Sequence, residues 1–261
     1  MTSLAPLATW LSAIPLLLAA AAVTWAVSVI RRNVTIVDTL WPLLFVMAAI
    51  VYAAVVPGTG TRAILLLVLV SAWGVRLAVY LAWRNRGHEE DRRYRAIRER
   101  NEPNFALKSL YLIFGFQALL AWIISLPIAG AITGTGPLGA LDVLGVILWT
   151  VGLVFEAGGD WQLARFKRDP ANAGRVMDRG LWRYTRHPNY FGDFMVWWGL
   201  FLVALATGDA WWTVIGPIVM SVLLIRVSGA ALLEKSLKKR RAGYDEYVRR
   251  TSAFFPRPPR R

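Results

Sequence analysis

About seven stretches of this chain are apolar over the length a lipid bilayer demands, and this limits the possible folds more than any other feature. A spanning helix needs roughly 20 mainly apolar residues. Residues 7–30, 34–56, 63–83, 107–132, 139–158, 190–207 and 210–232 meet that length closely enough to be read as spans. Each is expected to be helical, because an open sheet edge leaves backbone groups unsatisfied in hydrocarbon. The last two are joined by the turn Thr207-Gly208-Asp209 and so form a hairpin. The first is too long for a signal-peptide core of roughly 7–15 residues and is read as a retained helix. The expected fold is a single all-α, polytopic membrane domain over 1–261, with a tail at 233–261.

Composition fits lipid as the solvent. Charged residues make up 18% of the chain, against roughly 25% for a soluble domain. The net charge of +14 would suit a nucleic-acid binder, but such a protein would not carry these apolar runs. No nucleic-acid partner and no obligate protein partner is expected. With no cysteine and only two histidines, His88 and His187, a zinc centre of about four N/S ligands has too few donors, and no metal is expected.

The basic residues assign the sides. Of the 30 Lys and Arg, all but Arg62 and Arg76 fall after the first, third and fifth spans or from Arg226 onward. The positive-inside rule places those segments in the cytoplasm, with the N-terminus outside, as in a bacterial inner membrane. Attraction to anionic lipid accounts for part of this charge.

Two of the basic segments are more specific. Residues 159–168 and 180–193, with Asn172-Ala173-Gly174-Arg175 between them, gather guanidinium, ammonium, amide, imidazole and carboxylate groups near helix ends. A dinucleotide phosphate needs such a set: Arg and Lys for phosphates, amides and carboxylates for the bases. Pro188 disfavours helix at His187 and suits a helix start. Free N–H groups there favour an anion. Asn189 and Asp193 fall on one face of the sixth span at i, i+4, a ligand pair or a first-turn dipole partner. Asp38 is the only carboxylate of the second span. It is either an acid kept neutral to donate a hydrogen bond to a ketone, or an interfacial Asp paired with Arg76 or a loop arginine. Arg76 either snorkels or reaches the cofactor. Trp41 and Trp73 are belt or packing residues, or line an apolar substrate pocket. Gly134-Thr135-Gly136-Pro137-Leu138-Gly139 matches G-x-G-x-x-G but follows no strand and is read as a turn. Glu89, Glu90 and Asp91 are read as solvated charge on a loop that can close as a lid.

The segment Arg186-His187-Pro188-Asn189-Tyr190-Phe191-Gly192-Asp193 resembles the signature shared by membrane steroid 5-alpha-reductases, sterol C14-reductases and isoprenylcysteine methyltransferases. Gly243-Tyr244-Asp245-Glu246-Tyr247 and Thr251-Ser252-Ala253-Phe254-Phe255-Pro256 resemble the end of the same group. With residues 33–41 and 84–94, the likeness is to the bacterial branch of the steroid 5-alpha-reductase-like family. That resemblance implies an oxidoreductase acting on CH–CH bonds, using NADPH to reduce the C=C bond of an enone such as a 3-oxo-4-ene steroid. It implies cofactor contacts at Asp160, Lys167, Arg175, Asn189 and Asp193, with Arg165 and Arg168 close by. Tyr184, His187 and Tyr190 lie in the same block, and Asn85 lies in the stretch after the third span. Asp38 takes the place of the catalytic acid. The helix 3 tyrosine aligns with Trp73 or Gly74, which leaves Tyr80 as the nearest tyrosine. Glu234 stands where the family has a cofactor-side histidine. The shared signature leaves a second expectation, an S-adenosylmethionine-dependent methyltransferase, but that cofactor has no phosphate to require Lys167, Arg168 and Arg175.

Overall fold

The computed structural model describes residues 5–227 and 243–260, and among them every regular element is helical. Glu234 lies outside the described residues. Five helices are long and apolar enough to cross a membrane: Leu7–Arg31, Ile36–Val55, Thr61–Asn85, Phe105–Ile124 and Ala140–Arg168. They match the first five apolar windows. The sixth window appears as the helix Pro188–Leu205, and the seventh as the apolar helix Ala210–Arg226, its remaining residues lying outside the described ones.

Two boundaries differ from expectation, each for a local reason. The fourth window breaks at Ser125, where Pro127 enters the first turn of a separate helix, Leu126–Ile132. Proline lacks the N–H that would continue the preceding helix but fits a helix start. The fifth helix runs past the apolar window to Arg168, so Arg165, Lys167 and Arg168 form its last turn instead of lying in a loop. Basic side chains there complement the negative end of the helix dipole.

The chain divides into two compact units, Met1–Leu138 with Ala204–Thr213 and Gly139–Val203 with Val214–Arg261. In the first, Ile36–Val55 and Thr61–Asn85 pack most closely. A Cβ on Gly74 would lie 2.9 Å from the Pro42 carbonyl, so only glycine permits this approach. Fully buried Phe45, Tyr52, Leu66, Trp73, Phe114 and Ile124 fill this unit's core. Two of its buried hydroxyls satisfy one another: Tyr52 Oη shares a 2.7 Å hydrogen bond with Ser125 Oγ, which also donates to the Trp122 carbonyl. Trp10 and Trp122 stack 3.8 Å apart, each indole N–H donating to the other's carbonyl.

The ends of this unit sort the connections. Arg98 donates to the Arg32 carbonyl and Glu90 accepts from the Val34 N–H, so the connections after the first and third spans share one end. Buried Arg62 donates to the Gly136 and Pro137 carbonyls, and Gly134 packs on Thr207, so three other connections also lie together. The G-x-G-x-x-G stretch thus turns carbonyls toward a cation. A phosphate cradle would present N–H groups instead.

The second unit is built on the antiparallel pair Ala140–Arg168 and Pro188–Leu205. Gly145 faces Gly199 and Gly152 faces Gly192, seven residues apart on both helices. A Cβ on Gly152 would stand 2.6 Å from the Gly192 carbonyl, so the backbones meet with no side chain between them. Small residues drive such contacts in membranes, where lipid competes with any larger side chain.

Candidate functional site

In the first unit, Asp38 sits in the first turn of Ile36–Val55, its side chain 13% exposed. The helix Arg92–Asn101 lies against it. Asp91 caps that helix by accepting from the Arg93 N–H at 2.8 Å, and its own N–H donates to Thr35 Oγ1 at 2.8 Å. This docking brings Tyr94 Oη to donate to Asp38 Oδ1 at 2.6 Å and Arg93 Nη2 to Asp38 Oδ2 at 3.2 Å. Arg84 Nη2 stands 3.9 Å from the same Oδ2. Gln117 Nε2 reaches Tyr94 Oη at 3.5 Å.

Asp38 therefore accepts on both oxygens, and of the two expectations for it, neutral donor or partner of an arginine, the contacts match the second. The loop-arginine pairing is the one realised. Burial, and after it the Asp38 charge, push the Tyr94 hydroxyl well above the ordinary tyrosine range, so it keeps its proton at neutral pH. Burial works against the Arg93 charge, but Asp38 and Asp91 overcome that and keep the guanidinium charged. Burial raises Asp91 as well, but its hydrogen bonds from Arg93 outweigh this and lower its pKa.

Of the acidic run read as solvated charge, Glu89 is exposed, whereas Glu90 is clamped. Arg98 forms a two-pronged pair with Glu90, at 2.7 and 2.9 Å, and lies 4.3 Å over the Phe105 ring. Burial alone would raise the Glu90 carboxyl, but the Arg98 hydrogen bond, the Val34 N–H and the nearby Arg98 and Arg95 charges lower it overall. A lowered folded pKa stabilises above the unfolded value of 4.5, and that stabilisation disappears as pH falls through the folded value. Amide protection factors in residues 86–104, the rates corrected for intrinsic exchange, should thus fall below about pH 4. Glu90→Gln should exchange faster at neutral pH and lose that acid dependence. Identical acid profiles for the two proteins would remove the clamp from the account.

The remaining predicted residues of this unit lie on the same helices. Trp41 packs edge-on to Phe45 at 5.1 Å, and Phe45 to fully buried Trp73 at 5.8 Å, an aromatic row leading inward from Asp38. Arg76 Nε and Nη2 are buried on Thr61–Asn85. Tyr80 lies beside Trp83, with the Arg84 guanidinium 5.9 Å over its ring. Asn85 Oδ1 accepts from Arg84 Nε at 3.2 Å.

In the second unit, the glycine contact places Asp160, 5% exposed, opposite Asn189, whose Nδ2 donates to Asp160 Oδ1 at 3.2 Å. Buried Asp193 lies one turn further along its helix, and Glu156, 3% exposed, one turn before Asp160 on the facing helix. Glu156 was missed by the sequence reading, although a carboxylate inside an apolar window four residues before Asp160 is a visible signal. His187 is buried and stacks on Tyr190 at 5.5 Å. Trp182 Nε1 donates to the Gly159 carbonyl, and Gln162 Oε1 accepts from the Leu181 N–H, pinning the loop to the helix. Arg165, Lys167, Arg168, Arg175 and Tyr184 are exposed, with the Arg165 guanidinium 5.5 Å over the Trp161 ring.

The two segments that carry the resemblance pack on one another. Buried Arg186 donates to the Val248 and Thr251 carbonyls, its N–H bonds the Ser252 carbonyl, and Thr185 Oγ1 bonds the Phe254 carbonyl. The Tyr247 hydroxyl donates to the Trp182 carbonyl. The Arg of the Arg-His-Pro run is thus a staple for the tail, a role the sequence reading did not assign.

An all-helical membrane protein with clustered buried carboxylates at helix ends is the class these features define. Residues 24–251 match the family described as a protein of unknown function, DUF1295, and the chain belongs to that family. It is similar to an uncharacterized protein of the fission yeast Schizosaccharomyces pombe, 26% identical over 90% of this chain and 76% of the relative. No solved structure matches.

Proposed function

We propose that this protein is an NADPH-dependent reductase of a C=C bond conjugated to a ketone, with a 3-oxo-4-ene steroid as the substrate class. The observation that carries the reading is the Tyr94 hydroxyl held on Asp38 beside two guanidinium groups at the end of an apolar helix. Reducing an enone places negative charge on the ketone oxygen, and a positioned O–H donor stabilises it. Tyr94 is that donor, turning its O–H from Asp38 to the ketone oxygen without giving up the proton; Asp38, charged and held by Arg93 and Arg84, positions the hydroxyl, and water supplies the proton that the α-carbon takes up. The sequence reading had given the acid's role to Asp38, with Tyr80 as partner; the present proposal adds Tyr94 between acid and substrate.

The donor set of the second unit suits a phosphate-bearing nucleotide: exposed Arg165, Lys167, Arg168 and Arg175 for phosphates, and part-buried Asn189 with buried Asp160 and Asp193 for amide recognition. NADPH, when bound, supplies hydride to the β-carbon of the enone. Seven spans, an outer N-terminus and a cytoplasmic tail in a bacterial inner membrane belong to the same reading. It is supported by the shared end of the connections after the first and third spans.

NADPH oxidation by the purified protein over a steroid enone panel, with product stereochemistry resolved, tests the reaction. Turnover is expected. No reduction of any enone, with tight binding of S-adenosylmethionine alone, would replace it with methyl transfer. Arg175→Ala should weaken NADPH about 10–100-fold, the value of a charged hydrogen bond, and leave NADH nearly unchanged. An equal loss for both would take Arg175 off the 2′-phosphate.

A further inference from the structure

Where the tail folds back on the loop, it forms two adjoining cationic grooves that the reductase reading does not use. One, of about 410 Å³, is lined by Arg186, Arg249, Arg250, Arg257 and Arg260 together with Phe254 and Phe255. The other, of about 660 Å³, is lined by Arg179, Arg183, Arg250 and Arg260, with Asp178 the single carboxylate of its lining. Arg250 and Arg260 border both, and the Arg260 N–H bonds the Arg250 carbonyl at 2.9 Å, which fixes the spacing of these two residues. Among the described residues, Arg250 stands 3.8 Å from Asp178 and 3.6 Å from Glu246, both longer than a direct hydrogen bond. Gathering exposed arginines around one hollow is unfavourable unless an anion enters it.

The apolar side of the first groove says which anion. Phe254 and Phe255 pack on the first turns of Pro188–Leu205, with ring centroids 6.2 Å from Phe191 and 5.7 Å from Phe194. Phe255 nevertheless remains half exposed, next to the arginines. Guanidinium groups and an open phenyl ring, side by side at the foot of an apolar helix, match the border between headgroups and acyl chains. A soluble anion would use the arginines and leave the ring in water.

We propose that this groove is a binding site for an anionic phospholipid, its phosphate held by Arg250 and Arg260 and the start of an acyl chain lying on Phe255. The two positive charges on the phosphate supply the preference over zwitterionic lipid. Occupancy ties the tail, and through Arg186 the loop of residues 180–187, to the membrane surface.

The full chain, reconstituted in vesicles of phosphatidylcholine with phosphatidylglycerol and then extracted, can be weighed intact by native mass spectrometry. Retained phosphatidylglycerol is expected in preference to phosphatidylcholine. Arg250→Gln with Arg260→Gln should reduce retention about fivefold for each arginine. The Lys pair, Arg250→Lys with Arg260→Lys, should keep most of it and guards against misfolding. Phe255→Ser should also reduce retention, and Arg31→Gln with Arg32→Gln should not. Equal loss in that control pair would mean bulk charge and overturn the site, as would full retention in Phe255→Ser. Displacement of the lipid by pyrophosphate alone would show a soluble-phosphate site. Displacement by NADPH, with NADPH affinity lost in the Gln pair, would return the groove to the nucleotide. Either result ends the lipid proposal, and neither depends on whether the protein reduces enones.

Discussion

Replacing Gly192 with leucine should leave no folded protein to purify. Its Cβ would fall against the Gly152 carbonyl and the Glu156 backbone nitrogen, with Glu156 Cβ only 2.7 Å away. Backbone atoms cannot move aside as the end of a flexible side chain can. Even Gly192→Ala should lower stability by about 1–3 kcal/mol, the usual range for overpacking a filled interior. Leucine, with three more carbons, should separate the helices entirely. The measurement is the thermal midpoint and monodispersity of the detergent-extracted protein. Gly208→Ala serves as the comparison, because its site is open, although its positive φ of 94 adds local strain. Near-normal melting of Gly192→Leu would mean that the two helices do not meet on this face. The same separation would move Asn189 from Asp160, so nucleotide affinity should fall in Gly192→Ala more steeply than stability does.

The second large effect concerns the acid. Asp38→Ala removes the acceptor for Tyr94 and the counter-charge for Arg93 together. Enone reduction should fall about 10²–10⁴-fold in kcat, the range for losing a positioned proton donor or its partner. Tyr94→Phe should lose a similar amount while leaving the Asp38–Arg93 pair in place. The double variant should be no worse than either alone, since the two groups act as one unit. If Tyr94→Phe keeps full activity while Tyr80→Phe abolishes it, the donor is Tyr80 and the Tyr94 hydroxyl only packs the loop. A loss in KM alone, with kcat intact, would give the pair a binding role instead.

How far the sequence anticipates this structure differs between the two units. The first five apolar windows coincide with long helices because length and hydropathy are local properties. Their ends were less visible: the good helix formers Gln162, Leu163, Ala164 and Arg165 carry the fifth helix past Gly158 and Gly159 to Arg168. Asp160 and Asn189 stood out as polar groups beside an apolar helix, and they meet. Asp38 was equally visible, but its partner was not. Tyr94 lies 56 residues away on a short charged helix with no apolar stripe to suggest docking. The glycines at 145, 152 and 159 and at 192 and 199 repeat every seven residues. That period was available to inspection, and it gains meaning only when the two helices are known to be antiparallel neighbours.

The staple between loop and tail has a consequence for biogenesis. The Trp182 carbonyl waits for the Tyr247 hydroxyl, 65 residues downstream. At 5–20 residues per second, translation leaves that interval open for roughly 3–13 s. Until then Arg186 lacks the Val248, Thr251 and Ser252 carbonyls that accept its hydrogen bonds. A chain truncated in that interval should therefore be cleaved within residues 180–187 more readily than the full chain under limited proteolysis.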